Sequence, residues 1–192
     1  MIDKSLEALK RAVQNYLVSL PELNLTSEDA IVLSPIVKAD GSLAIPDNSL
    51  GLTLVNIEEE RVVKSQNAVS IASDGRVSIV NPEIKLNLFI LIAANFTNYD
   101  TGLQFLSAVV KCFQSKNVFT PDNTPLLDSS IQKLIVELFS LDFEKQNHLW
   151  GSLGAKYLPS VLYRVRLVAI QEGIKQAEQA PITIYDLKEK EK

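Results

Sequence analysis

His148 is the only histidine in the chain and Cys112 the only cysteine. Acid–base or nucleophilic chemistry through imidazole or thiolate would have to pass through one of these two positions. Metal sites built from several imidazoles or thiolates need ligands that this sequence does not contain. Carboxylates remain as donors, and they are dense only at Glu58-Glu59-Glu60. Successive side chains of a strand point to opposite faces, so two of the three at most can share a site. The plainer reading is a solvated strand end paired with Arg61, and no metal site is expected. No G-x-S-x-G elbow surrounds a serine, and neither G-x-x-x-x-G-K-[ST] nor G-x-G-x-x-G occurs. Seven glycines leave little material for a phosphate cradle. Cys112 falls in a predicted helix beside its apolar face, and His148, close to Trp150, reads as a packing or hydrogen-bonding residue. The expectation is a protein that is not an enzyme and carries no cofactor.

The elements that would position these residues follow from periodicity. Ile2, Leu6, Leu9, Val13, Leu17 and Leu20 recur at helical steps, and Pro21 stops the helix. A β-branched run at residues 30–33 predicts a short strand, and the turn dipeptides within residues 38–49 predict a loop. Residues 50–60 read as a strand, with Leu52 and Leu54 on one face and Thr53, Val55 and Ile57 on the other. Hydrophobicity then falls over residues 61–77, which predicts a long excursion between two strands. Ile84, Leu86, Leu88, Ile90 and Ile92 alternate with Lys85, Asn87, Phe89 and Leu91. The far half of that strand is apolar on both faces, so it is expected to be central and covered.

A second helix is predicted over residues 99–114, with Leu103, Leu106, Val110 and Phe113 inward and Asn98 or Asp100 as its N-cap. A strand over 132–143, a short helical turn over 144–153 ended by Gly151 or Gly154, and a strand after Pro159 complete the series. From Gln171 the chain turns polar and ends in Lys188-Glu-Lys-Glu-Lys192. Helices and strands interleave, but several strand pairs lack a helix between them. The predicted class is α+β: a mixed, largely antiparallel sheet packed against two main helices. One domain over residues 1–180 and a polar tail over 181–192 are expected.

Composition narrows the function classes. An apolar fraction of 46% and a charged fraction of 22% over 192 residues are ordinary for a globular protein. A core can therefore form without metal or disulfide support. The net charge of −4 and scattered basic residues argue against a nucleic-acid surface, which needs clustered Lys and Arg. The start lacks the basic and apolar regions of a secretory signal. The longest apolar stretch, residues 86–96, is broken by Asn87 and Asn95 and falls far short of the roughly 20 residues that span a bilayer. The chain reads as cytoplasmic and soluble, without membrane insertion.

One segment asks for more than core packing. Gln146-Asn-His-Leu-Trp-Gly-Ser-Leu-Gly-Ala-Lys-Tyr-Leu-Pro159 combines polar, aromatic and small residues where a plain connection needs only a turn. Trp150 suits an interface anchor or a lid over the sheet. Trp150 and Tyr157, with Glu58, Glu59, Glu60 and Arg61, are the candidate protein-interface residues.

These segments carry a resemblance. Pro46-Asp-Asn-Ser-Leu-Gly-Leu-Thr-Leu-Val-Asn-Ile-Glu-Glu-Glu-Arg61 resembles the signature strand of the cap, or tube-terminator, proteins of phage-tail-like contractile injection systems. The likeness continues through Asn81-Pro-Glu-Ile-Lys-Leu-Asn-Leu88, Ala93-Ala-Asn-Phe-Thr-Asn-Tyr99 and Phe119-Thr-Pro-Asp-Asn-Thr-Pro125. It is densest from Ile135 to Arg166 and covers most of residues 1–170 in order. It implies a structural role: a homo-oligomeric ring, expected to be a hexamer, that binds the last layer of the inner tube protein and stops its growth. The same ring would fasten the end of the sheath protein. Residues 50–60 and the following excursion would contact adjacent subunits or the tube. The competing class is a standalone cytoplasmic adaptor that binds a protein or small ligand; an esterase-like enzyme using His148 is remote.

Overall fold

Leu9, Val13 and Leu17 sit about one helical turn apart and are fully buried in helix α1 (Ile2–Val18). Pro21 opens a single 3-10 turn, Pro21–Leu23, as a residue without a donor N–H permits. The Gln14 side-chain oxygen accepts from the backbone N–H groups of Ala30 and Ile31, at 2.9 and 3.2 Å, and ties α1 to strand β1 (Ile31–Leu33). The structure, a computed structural model, describes residues 1–23, 25, 29–60, 69–71, 77–80, 85–125, 127–128, 130–169 and 175–179. The remaining elements are β2 (Ser49–Glu59), β3 (Val69–Ile71), β4 (Val77–Val80), β5 (Lys85–Asn95), α2 (Tyr99–Ser115), β6 (Val118–Phe119), β7 (Ile131–Leu138), α3 (Phe143–Ser152), β8 (Ser160–Ala169) and β9 (Lys175–Gln179).

Six strands form one mixed sheet in the order β1-β2-β5-β8-β7-β6, in which only the β1–β2 pair is parallel. The class is α+β, as the sequence predicts. Strand β5 is central. Its Leu88, Ile90, Ile92 and Ala94 join the core beneath α1 and α2, and its Leu91 and Ala93 join a second core on the opposite face. That second core is closed by Trp150 of α3 and by Ile36 and Ile45, which flank a turn carrying Gly41 at φ 80°. The loop expected over 38–49 thus does packing work through its apolar flank.

Two predicted details differ. The Asn98 side chain caps α2 by accepting from Thr101 N–H at 3.1 Å, but the buried stripe is Phe105, Leu106, Val109, Cys112 and Phe113. Leu103, expected inside, is 40% exposed. The helix is rotated because Gly102 meets the sheet: a Cβ there would lie 3.4 Å from Phe96 Cβ, so the smallest residue takes the closest approach. The predicted turn over 144–153 is a full helix, and Gly154 rather than Gly151 ends it. Gly154 has φ 66°, its N–H bonds to Gly151 O and that of Ala155 to Trp150 O, the double bond of a Schellman cap.

The stretches read as an excursion (61–77) and as the start of a polar end (from 171) both contain strands. A second sheet has the order β3-β4-β9, all antiparallel. Its members follow β2, precede β5 and follow β8 in sequence, so the order of the small sheet repeats the β2-β5-β8 order within the large one. Val-Ser-Ile and Val-Ser-Ile-Val supply the alternation that permits it. Arg61 and the tail over 181–192 lie outside the described residues.

Gly51 on β2 tests the second core. A Cβ there would fall 2.5 Å from Ile45 Cδ1 and Cγ1. Gly51→Ala is expected to destabilise the protein by about 1–3 kcal/mol through overpacking, read as a lower urea midpoint. Ile45→Ala, which removes both of those atoms, should cost less in the Gly51→Ala chain than in wild type.

Candidate assembly interface

Strand β2 does not keep one alternation to its end. Its pairing with β5 slips between Leu54 and Asn56, a β-bulge at Val55. Before the slip Leu54 opposes Ile90; after it Ile57 opposes Leu88 and Glu58 opposes Asn87. Leu88 and Ile90 share the α1/α2 face, so Leu54 and Ile57 do too, whereas simple alternation puts them on opposite faces. The bulge also turns Glu58 toward the α3 face, and Glu59, opposite Leu86, toward the other. Asn87 Nδ2 donates to Glu60 Oε2 at 3.1 Å, and Asn56 Nδ2 to Glu58 Oε1 at 3.1 Å. The three glutamates therefore do not converge on a common point.

Helix α3 covers only part of its face. Beyond Leu91 and Leu162, the rows of paired residues become polar: Asn56, Phe89, Arg164 and Glu137 in one, Glu58, Asn87, Arg166 and Ile135 in the next. Glu137 grips both arginines, with Arg164 Nη2 at 2.7 Å from its Oε2 and Arg166 Nη2 on its Oε1. These hydrogen bonds, Arg164 first and Arg166 second, hold the Glu137 carboxyl below its ordinary pKa. Asn87 Oδ1 and Arg166 Nε, on directly paired residues, have no hydrogen-bond partner among the described residues, although both atoms are buried.

Between α3 and these rows runs a groove of about 600 Å³. Phe89 and Phe139, in T-shaped contact with centroids 5.1 Å apart, form its floor, and Glu58, Lys145, His148 and Arg164 stand around it. His148 is exposed, and its ring makes no hydrogen bond among the described residues. The Ser152 hydroxyl donates to Leu149 O at 2.8 Å, so the two do not form a nucleophile–base pair. Cys112 lies in the main core, where burial pushes its thiol up to about 11.

Trp150 is 5% exposed and belongs to the second core, so of its two readings the lid is the one observed. Its ring supports Tyr157, which is 57% exposed, in a T-shaped contact at 5.5 Å. Tyr157 is thus presented to solvent on a rigid base. Sequence reasoning missed Leu138 and Phe143, which are 59% and 91% exposed; Leu138, opposite Tyr163, stands on the α1/α2 face. It also missed the Arg164–Glu137–Arg166 cluster, because only the β7–β8 register brings residues so distant in sequence together.

The outer edge of β2 is covered by β1 only from Leu50 to Leu52. The edge is not a plain row of open backbone groups beyond that: the Ile57 N–H donates to Asn56 Oδ1 at 2.9 Å. A bulge and a side-chain cap are devices that protect an edge from indiscriminate strand addition.

The family described as the Pvc16 N-terminal domain matches residues 6–184. Among solved structures, the chain is similar to the sheath/tube terminator, in the extended state, of an extracellular contractile injection system, PVC. The TM-score is 0.66 at 15% identity, over 100% of this chain and 64% of that one. It is also similar to the tube-terminating cap of the anti-feeding prophage, with a TM-score of 0.64 at 14% identity, over 97% of this chain and 60% of that one. At such identities the likeness is one of fold, and the chain spans less than two thirds of either relative. No curated protein matches. Among the described residues no helix is long and apolar enough to cross a membrane.

Two substitutions separate lid from surface. Trp150→Ala is expected to cost about 3–5 kcal/mol of stability, the range for emptying a buried aromatic site, whereas Tyr157→Ala should cost less than about 1 kcal/mol; paired urea titrations decide it. Glu137 gives a pH test. Its folded-state pKa is depressed, so its contribution is present above the unfolded carboxylate pKa of about 4.3 and is lost as pH falls through the folded value. The stability difference between wild type and Glu137→Gln should be near 1 kcal/mol at neutral pH, as for a partly exposed pair, and should vanish in acid.

Proposed function

The chain belongs to the Pvc16 N-terminal domain family, and from that membership we propose that it caps a contractile injection particle as a structural component. The observation that carries this reading is the extent of the fold likeness. The likeness to a sheath/tube terminator, at TM-score 0.66, covers the whole of this chain. On this reading the protein binds the last layer of inner tube, ends tube growth and fastens the end of the sheath. It acts as a homo-oligomeric ring, expected to be a hexamer. Residues 1–180 are the cap domain and 181–192 a polar tail. Assembly takes place in the cytoplasm and the cap remains part of the finished particle.

The surfaces described above suit binding. A cyclic ring uses two different, complementary patches on every subunit. Charged groups at such contacts set register and partner choice more than affinity, the role proposed for Glu58, Glu59, Glu60 and Arg61. Tyr157, seated on Trp150, is an amphipathic anchor with few rotatable bonds. His148 and Ser152 offer no working dyad, and the proposal gives the protein no reaction to perform.

Deletion of the protein from a producing strain tests the reading. Particles are expected with tubes of uncontrolled length, seen by negative-stain imaging, and complementation should restore a single length. Particles of unchanged, uniform length would overturn the capping role.

A further inference from the structure

The two sides of the large sheet differ in charge. On the β2 side, Glu58 is exposed on the α3 face and Glu59 on the other, Glu60 is half-buried against Asn87, and β2 itself holds no cation. On the β7/β8 side, alternation places Lys133, Arg164 and Arg166 on the uncovered part of the α3 face. Glu137 is the one described anion among them, and it is shared between the two arginines. Lys133 is half-buried and makes no ion pair among the described residues. Each side also exposes apolar groups: Leu33 and Ile57 at 41% and 45% on one, Leu138 and Phe143 on the other.

We infer that these two sides are complementary halves of one contact, the acidic β2 edge of one copy docking on the basic β7/β8 rows of the next. The inference rests on the ring reading and names the surfaces that close the ring. The Val55 bulge is the device that makes it work. Without it Glu58 would face the α1/α2 side; with it the carboxylate joins the face whose far side is basic. The guarded β2 edge fits the same scheme, because its Ile57 N–H is already satisfied and recognition passes to the carboxylates. The contact is head-to-tail. An isologous arrangement would use both poles in a single pair of copies and stop at a dimer, whereas a heterologous one propagates until it closes.

The test uses the full chain and two variants, Glu58→Lys on the acidic side and Lys133→Glu/Arg166→Gln on the basic side. Far-UV circular dichroism and thermal melts identify variants that remain folded, and sedimentation velocity reads assembly. Each folded variant alone is expected to associate at least about tenfold more weakly than wild type, through like-charge juxtaposition. An equimolar mixture should recover a ring of alternating subunits, because each altered surface then meets its complement. If the basic-side variant fails to fold, Lys133→Glu alone replaces it. Rings that form equally well in every variant would overturn the proposed contact and leave the capping reading intact. A wild-type species that stops at a dimer would overturn head-to-tail docking. A wild-type chain that stays monomeric at every concentration would overturn the self-contact; particle length on deletion then decides the capping role separately.

Discussion

A central strand that is apolar on both sides obliges the protein to cover two faces of one sheet. Strand β5 imposes this: Ile90, Ile92 and Ala94 need one cover, Leu91 and Ala93 another. Helices α1 and α2 provide the first, and α3 with the Ile36–Ile45 flank provides the second. At about 25 cal/mol per Å² of apolar surface removed from water, these two burials dominate the stability of the large sheet. The second cover is the smaller, and it ends where the strand rows turn from Leu91 and Leu162 to Phe89, Arg164 and Asn87. The open part of that face follows from how much apolar surface β5 supplies.

The features with assembly potential lie along that boundary. Trp150 closes the second core and holds Tyr157 outward. The groove beneath α3 joins the aromatic pair Phe89–Phe139 to charged neighbours. The bulge at Val55 sends the end of β2 into new register and sets Glu58 among polar residues instead of leucines. None of these features forms a catalytic constellation. Together they make a surface with apolar, aromatic and charged groups in fixed positions, which is the chemistry of protein–protein recognition.

Local signals made much of this architecture legible. The stripe of α1, the double-faced apolar run of β5 and the α2 cap, at Asn98 of the two candidates Asn98 and Asp100, depend on near neighbours, and each is found where the residues put it. Features set by distant pairing were not legible. The bulge is a property of two strands, so Ile57 is misplaced by counting along one. The rotation of α2 depends on Gly102 meeting Phe96. Strand β3 has only three residues and β9, Lys-Gln-Ala-Glu-Gln, is polar, and both are defined by pairing with β4. Of the residues singled out for a site, Glu58 lies on the groove and Tyr157 is exposed, while Trp150 turned inward because the second core had no other large lid. The family likeness lay in the order of many ordinary segments, none of them a chemical motif.

The most direct measurement is a cryo-EM reconstruction of the closed end of an intact particle. The account predicts a single ring of this protein on the last tube layer, each copy touching its neighbour side to side and the tube below. A particle end built without this chain, or holding isolated copies that touch neither one another nor the tube, would contradict it.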